Sequence, residues 1–194
     1  MTITRMAAAA GLLLALAGCE TMHAKVSQPE GLPPSAALPA GTDLQVVDIR
    51  VVVPASLVVS EVESIYPTST DIVWHGDERG DRRAQVAAVL EEAAGRAVAQ
   101  DGGTRPAVAE LVVERFHGIT DKTHRSVGGM YTIRFRLAYL DAATGQPLGP
   151  ARVLHADLKQ PTQGSFATAD KPHVIAHLAQ FLAREFAAPV GRRR

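Results

Sequence analysis

The chain has 194 residues, with 20 lysines and arginines against 20 aspartates and glutamates, for a formal net charge of zero. Nothing in that balance argues for nucleic acid, whose binders usually show a strongly basic face, so no nucleic-acid partner is expected. The single cysteine excludes an internal disulfide.

Residues 1–18 read MTITRMAAAAGLLLALAG: one positive charge, Arg5, then an apolar run over residues 6–17 broken only by Gly11. This is the layout of a secretory signal. A run of about a dozen residues is short of the roughly 20 that a spanning helix needs. It ends in Leu16-Ala17-Gly18-Cys19, which resembles the lipobox of bacterial lipoproteins. The resemblance implies cleavage before Cys19 and acylation of its thiol, the expected lipid attachment site. Lipidation would also account for the lone cysteine. Two or more acyl chains hold a protein stably at a bilayer, whereas one holds it only marginally. The mature chain, without Arg5, would carry 19 basic against 20 acidic side chains, a balance of −1. Glu20 resembles an inner-membrane retention signal of some bacteria, and the choice between inner and outer membrane stays open. The expected location is the bacterial cell envelope, with the domain in the periplasm.

Residues 19–42 hold Pro29, Pro33, Pro34 and Pro39 among Gly, Ser, Gln and Ala. Such a segment buries too little apolar surface to order itself. It reads as a tether, roughly 65 Å long if fully extended. Residues 43–188 are the size of one domain, and residues 189–194 form a basic tail ending in Arg192-Arg193-Arg194.

Within the domain, residues 44–53 predict a strand, with Val47, Ile49, Val51 and Val53 on one face and Asp48 and Arg50 on the other. Pro54 interrupts it, and residues 56–63 predict a short edge strand. Residues 81–100 predict a helix on the spacing of Val86, Val89, Leu90, Ala93 and Ala97, stopped by Asp101-Gly102-Gly103. Residues 107–116 predict a strand in which Ala109, Leu111 and Val113 alternate with Glu110, Val112 and Glu114. Residues 131–140 predict another, with Ile133, Phe135, Leu137 and Tyr139 opposed to Thr132, Arg134 and Arg136. A turn at 141–145 leads to a strand over 151–158, with Leu154, Ala156 and Leu158 on its apolar side. The last helix is predicted over 171–187, capped by Asp170, with Pro172 in its first turn and a stripe of Val174, Leu178, Phe181, Leu182 and Phe186. The expected fold class is α+β: an antiparallel-rich sheet of four to five strands with two helices packed on one face. The first β-α-β connection would be a crossover that makes strand one parallel to a neighbour.

Three places draw attention as sites. "DIVWHGDERGDRRAQV", residues 71–86, sets Trp74, His75 and Asp77 before a helix start. Its acids suit the positive end of the helix dipole, Gly76 and Gly80 allow turns, and Trp74 can pack beneath, so the stretch reads first as a segment pinned to the core. A partner site through Trp74, His75 and Asp77 is the functional alternative. Catalysis by His75 with Asp77 or Asp81 lacks a nucleophile placed by spacing, and no catalytic residue is assigned. The loop over 117–129, "HGITDKTHRSVGG", carries Lys122, His124 and Arg125, and a long loop on rigid strands suits partner recognition; its other reading is a solvated connection. His173 and His177 lie four apart, but a metal site needs a third ligand, so neither metal nor cofactor is expected. The polar strand face of Arg50, Glu110, Glu114, Arg134 and Arg136 suits cross-strand ion pairs.

The stretch at 71–86, the run "GTRPAVAELVVERFHGITDKTHRSVGGMYTIRFRLAYLDAATGQPL" and the lipobox with its tether are similar to a family of uncharacterised alphaproteobacterial lipoproteins. In architecture the chain resembles the auxiliary lipoproteins of envelope ABC-type transport systems. The resemblance implies a non-enzymatic, membrane-anchored accessory protein that binds an envelope protein partner. The alternative is a periplasmic carrier of lipid or another hydrophobic ligand.

Overall fold

The computed structural model describes residues 43–64, 69–98, 103–126, 128–160 and 167–188. The lipobox, Cys19, the tether and the basic tail lie outside the described residues, as do the side chains of His124, Arg125 and Asp170.

The elements in chain order are β1 (Leu44–Val52), β2 (Ile72–Val73), α1 (Arg82–Val98), β3 (Arg105–His117), α2 (Asp121–Ser126), β4 (Gly129–Asp141), β5 (Arg152–His155), β6 (Leu158–Gln160) and α3 (Ala167–Phe186). The sheet runs β1-β3-β4-β5, with β2 also paired to β3 and β6 to β4. β1 and β2 are parallel to β3, while the pairs β3–β4, β4–β5 and β4–β6 are antiparallel. The fold is therefore mixed α+β with a mostly antiparallel sheet. The expected crossover is present, since α1 returns the chain to lay β3 parallel to β1.

Among the described residues there are six strands and three helices, against the expected four to five strands and two helices. The predicted edge strand at 56–63 is reduced to one bridge, Val59 to Ile72. Ile72 and Val73 form the pairing instead, on Phe116 and His117. The strand expected over 151–158 divides because the Asp157 side chain turns onto β4. Its Oδ1 accepts the Ile133 N–H at 3.1 Å, while the Ala156 N–H donates to the Ile133 carbonyl at 2.9 Å. Helix α3 begins at Ala167, ahead of the expected start at Lys171, so Pro172 lies inside it.

The alternation of β4 places Tyr131, Ile133, Phe135, Leu137 and Tyr139 inward and leaves Arg134 and Arg136 exposed. Ala107, Ala109, Leu111, Val113 and Phe116 of β3 join the same core. Helix α1 adds Val86, Val89, Leu90, Ala93, Ala94 and Ala97, and its alanines permit close packing against α3 and β1. Helix α3 adds Val174, Leu178, Leu182 and Phe186. Its aromatic rings meet the sheet edge-on: Phe181 lies 6.2 Å from Phe135 and Phe186 lies 6.5 Å from Tyr139. The Tyr139 hydroxyl donates to the Glu185 carbonyl at 3.3 Å.

Two bulges set which side chains face outward. One in β1 between Val46 and Asp48 leaves Val47 52% exposed, against the expectation that it shares a face with Ile49 and Val51. The other lies in β3 between Val113 and Arg115.

Leu111→Ala should lower stability by about 2–5 kcal/mol, because the cavity it leaves lies in the middle of the sheet. Val153→Ala, on the exposed face, should change it by no more than about 0.5 kcal/mol. The midpoints of urea unfolding curves compare the two.

Candidate functional site

The stretch before α1 is organised by a wholly buried tryptophan. Trp74 follows β2 and meets Phe116 edge-on at 5.5 Å and Tyr131 at 6.3 Å. Its indole N–H donates to Asp77 Oδ2 at 2.7 Å, and Lys171 Nζ of α3 lies 2.7 Å from Asp77 Oδ1. Gly76 passes against the indole so closely that a Cβ there would collide with the ring. Burial works against ionisation of Asp77. The bonds from Lys171 and Trp74, with the charges of Lys171 and Arg82, outweigh it and hold the carboxyl below its ordinary range.

Arg82, the first residue of α1, is itself buried. Its Nε and Nη2 donate to the two carboxylate oxygens of Glu61 at 2.5 and 2.9 Å, and Nη1 donates to the carbonyls of Asp77 and Glu78 at 3.1 and 3.0 Å and to Gln85 Oε1 at 2.7 Å. The hydrogen bond from Arg82 holds the Glu61 carboxyl below its ordinary range against partial burial. Asp81 caps the helix: its Oδ1 accepts the N–H groups of Arg83 and Ala84 at 3.0 and 3.1 Å. Arg83 Nη2 donates to the carbonyls of Ala55 and Leu57, which ties the segment after β1 to the same helix end.

Of the residues named for a partner, Trp74 is wholly buried, its ring packed in the core as the first reading of this stretch has it. Asp77 is engaged by Trp74 and Lys171. His75 is mostly buried, and its Nδ1 lies 3.0 Å from Glu63 Oε1, not from Asp77 or Asp81. A histidine oriented by a carboxylate has the form of a base and its orienting group. His124 and Arg125 lie on α2, an element the sequence reading took for loop. Thr120 starts it, its Oγ1 accepting the Thr123 N–H at 3.2 Å and donating to the Ser64 carbonyl at 2.8 Å. A threonine followed by aspartate is the cap signal that marks this helix. Gly118 reaches β2 where a Cβ would lie 2.7 Å from both the Val73 carbonyl oxygen and the Tyr131 ring.

The bonds of Asp77 with Lys171 and of Arg82 with Glu61 were not foreseen; 94 and 21 residues of chain separate the partners. On α3, His177 is half-buried. Burial pushes its imidazole below the ordinary value, helped by the charges of His173 and Arg184 and opposed by contacts with the backbone of Ala156 and Asp157. The face of the sheet away from the helices carries the anticipated ion pairs: Arg50 with Glu110 at 3.2 Å, and Glu114 with both Arg134 at 3.0 Å and Arg136 at 3.3 Å. Among the described residues no helix is long and apolar enough to cross a membrane.

Residues 44–194 match a family of unknown function, DUF6778, and the chain belongs to that family. No curated protein matches it. Among solved structures it is similar to a protein of the DUF330 family from Xanthomonas campestris, at 14% identity and a TM-score of 0.47 over 78% of this chain and 87% of that one. It is also similar to a candidate lipoprotein from Caulobacter crescentus, at 16% identity and a TM-score of 0.31 over 52% and 80% of the two chains. A third similar structure is a PelC dodecamer from Paraburkholderia phytofirmans, at 12% identity and a TM-score of 0.34 over 78% and 93%.

Asp77→Asn keeps an acceptor for the indole and removes the charge facing Lys171, so it should cost about 1–2 kcal/mol at pH 7. A depressed folded-state pKa stabilises above the unfolded value and is lost as pH falls through the folded one. The gap between wild type and Asp77→Asn in urea unfolding should therefore close below about pH 4. The same sign holds for His177 in a higher window. Its contribution is full above about pH 6.5 and is lost as pH falls through the depressed folded value, where the unfolded chain binds the proton first. His177→Leu should flatten thermal stability across that window, and a wild-type slope that survives the substitution belongs to another group.

Proposed function

We propose that this protein is a non-enzymatic, lipid-anchored lipoprotein of the cell envelope, whose domain docks an envelope protein as an accessory component of transport or assembly. The observation that carries the reading is Leu16-Ala17-Gly18-Cys19 at the end of a short apolar run, in a chain with no other cysteine. Acylation at Cys19 would fix the compartment, and the Pro-rich segment after it would give the domain reach.

The chemistry at the start of α1 supports docking over catalysis. Asp77, Asp81 and Arg82 are committed to holding this segment on the core, and His75 is held by Glu63. Carriage of a hydrophobic ligand is the weaker reading. Trp74, Phe116, Tyr131 and Phe135 on the sheet side and Leu178 and Leu182 on α3 fill the helix–sheet interior with their own side chains. A partner would meet the outside of the domain: the α2 connection that carries His124 and Arg125, or the outer edge of β1 by strand addition.

Metabolic labelling with a clickable fatty acid should mark the wild-type chain and leave Cys19→Ser unmarked and released from membranes. Crosslinking in native membranes followed by capture should then recover an envelope protein with wild type and less of it with a variant in which His124 and Arg125 are both replaced by alanine. An unlabelled wild-type chain would remove the anchor, and capture with no envelope protein above background would remove the docking role.

A further inference from the structure

The outer face of the sheet breaks a pairing rule at one place. In the β3–β4 register Arg115 stands directly opposite Arg134, and in the β4–β5 register Arg134 stands opposite His155. Like charges directly opposite each other in an antiparallel pair are destabilising. Two basic groups and a histidine nonetheless line up across three strands. Arg136 lies two residues along β4 on the same face, so three guanidiniums crowd one corner.

The bulge between Val113 and Arg115 produces this crowding. Without it, strict alternation would turn Glu114 outward and Arg115 toward the core. With it, Glu114 and Arg115 both project to the outer face, while Val113 and Phe116 on either side remain buried. Glu114 is the acid bonded at this corner, its two oxygens engaged by Arg134 and Arg136, while Asp71, just before the neighbouring β2, accepts the Phe116 N–H on its carbonyl and the Val58 N–H on its carboxylate. Arg115 is partly buried between these neighbours, and its Nε is shielded from solvent with no hydrogen-bond partner among the described residues. Three guanidiniums against the carboxylates of Glu114 and Asp71 still leave an excess of positive charge, with His155 exposed at its rim.

We propose that this corner is an oxyanion site of the phosphate class, in which Arg115 and Arg134 take the anion's oxygens and His155 closes its side. A planar guanidinium suits phosphate geometry, and an anion between Arg115 and Arg134 turns a repulsive pair into two charge-assisted contacts. The anion comes either as free phosphate or on a phospholipid headgroup. The site does not depend on the acyl anchor or on the docking role.

The test uses the full chain in nonionic detergent at fixed ionic strength. Inorganic phosphate is titrated while the ring resonances of His155 are followed by NMR. In parallel, co-sedimentation with phosphatidylglycerol vesicles is compared with phosphatidylcholine vesicles, so that whatever the amino-terminal end contributes is common to both. The expected result is a saturable shift at His155 with phosphate, a preference for phosphatidylglycerol, or both; vesicle preference alone identifies the headgroup as the source, and the phosphate shift alone identifies the free anion. Arg115→Gln should weaken the response about tenfold, and Glu114→Gln, which removes the competing carboxylate, should strengthen it about fivefold. No response to either probe overturns the proposal. So does a response that Arg115→Gln leaves unchanged, or one that Glu114→Gln fails to strengthen while the variant still unfolds as wild type does.

Discussion

Burying the indole of Trp74 imposes a series of obligations on the chain around it. Its N–H is shut away from water and needs an acceptor, because an unmatched buried donor costs about 1–3 kcal/mol. Asp77, three residues on, supplies one. A carboxylate drawn partly out of water needs charge or donors of its own, and Lys171 of α3 answers from the far end of the sequence. One aromatic ring thus links β2, the segment before α1 and α3. Gly76 is the condition for the geometry, since the turn that returns Asp77 to the indole leaves no room for a methyl group. Arg82 completes the arrangement by gathering the carbonyls of Asp77 and Glu78 and clamping Glu61. A stretch whose composition suggests chemistry is in this way occupied with architecture.

The two bulges decide what the outer face of the sheet displays. A strand has a period of two, so one extra residue exchanges inside for outside over everything beyond it. In β1 the bulge lets Leu44 and Val46 face the core on one side of it and Ile49 and Val51 on the other, with Val47 left exposed between. In β3 the same device keeps Val113 and Phe116 both buried and turns out two consecutive charged residues of opposite sign. The apolar pattern of β3 is satisfied throughout. The cost appears outside, where Arg115 faces Arg134.

The regular parts of the fold were legible because their cause is local. The alternation of Ile133, Phe135, Leu137 and Tyr139 and the helical spacing of Val86, Val89, Leu90, Ala93 and Ala97 each report one buried face directly. The parallel placement of β1 followed from the handedness and reach of a crossover. What escaped depends on partners distant in sequence. Ile72 and Val73 are too few to show a period, and they form a strand only because Phe116 and His117 present an edge. Asp157 divides the predicted strand at 151–158 because it finds the Ile133 N–H. Val47 fits the alternation of its strand and lies outside because register with β3 is kept by a bulge. At the site, Asp81 was readable as a cap from its position alone. The bond of Trp74 to Asp77 lay within reach of a local reading, whereas Lys171 and Glu61 carried no signal near the residues they hold.

These observations bear on where a domain of this design has freedom to act. Side chains that hold the segment before α1 cannot be given up to a partner without releasing Trp74, so recognition there would compete directly with folding. The outer face of the sheet is under no such constraint. Its ion pairs between Arg50 and Glu110 and around Glu114 are exposed or half-exposed, and pairs of that kind contribute at most about 1 kcal/mol each. They can be exchanged for contacts with another molecule at small cost to the domain. Sequences tend to break local rules where function requires it. Here the broken rule, Arg115 against Arg134, falls on the face whose ion pairs are exposed or half-exposed.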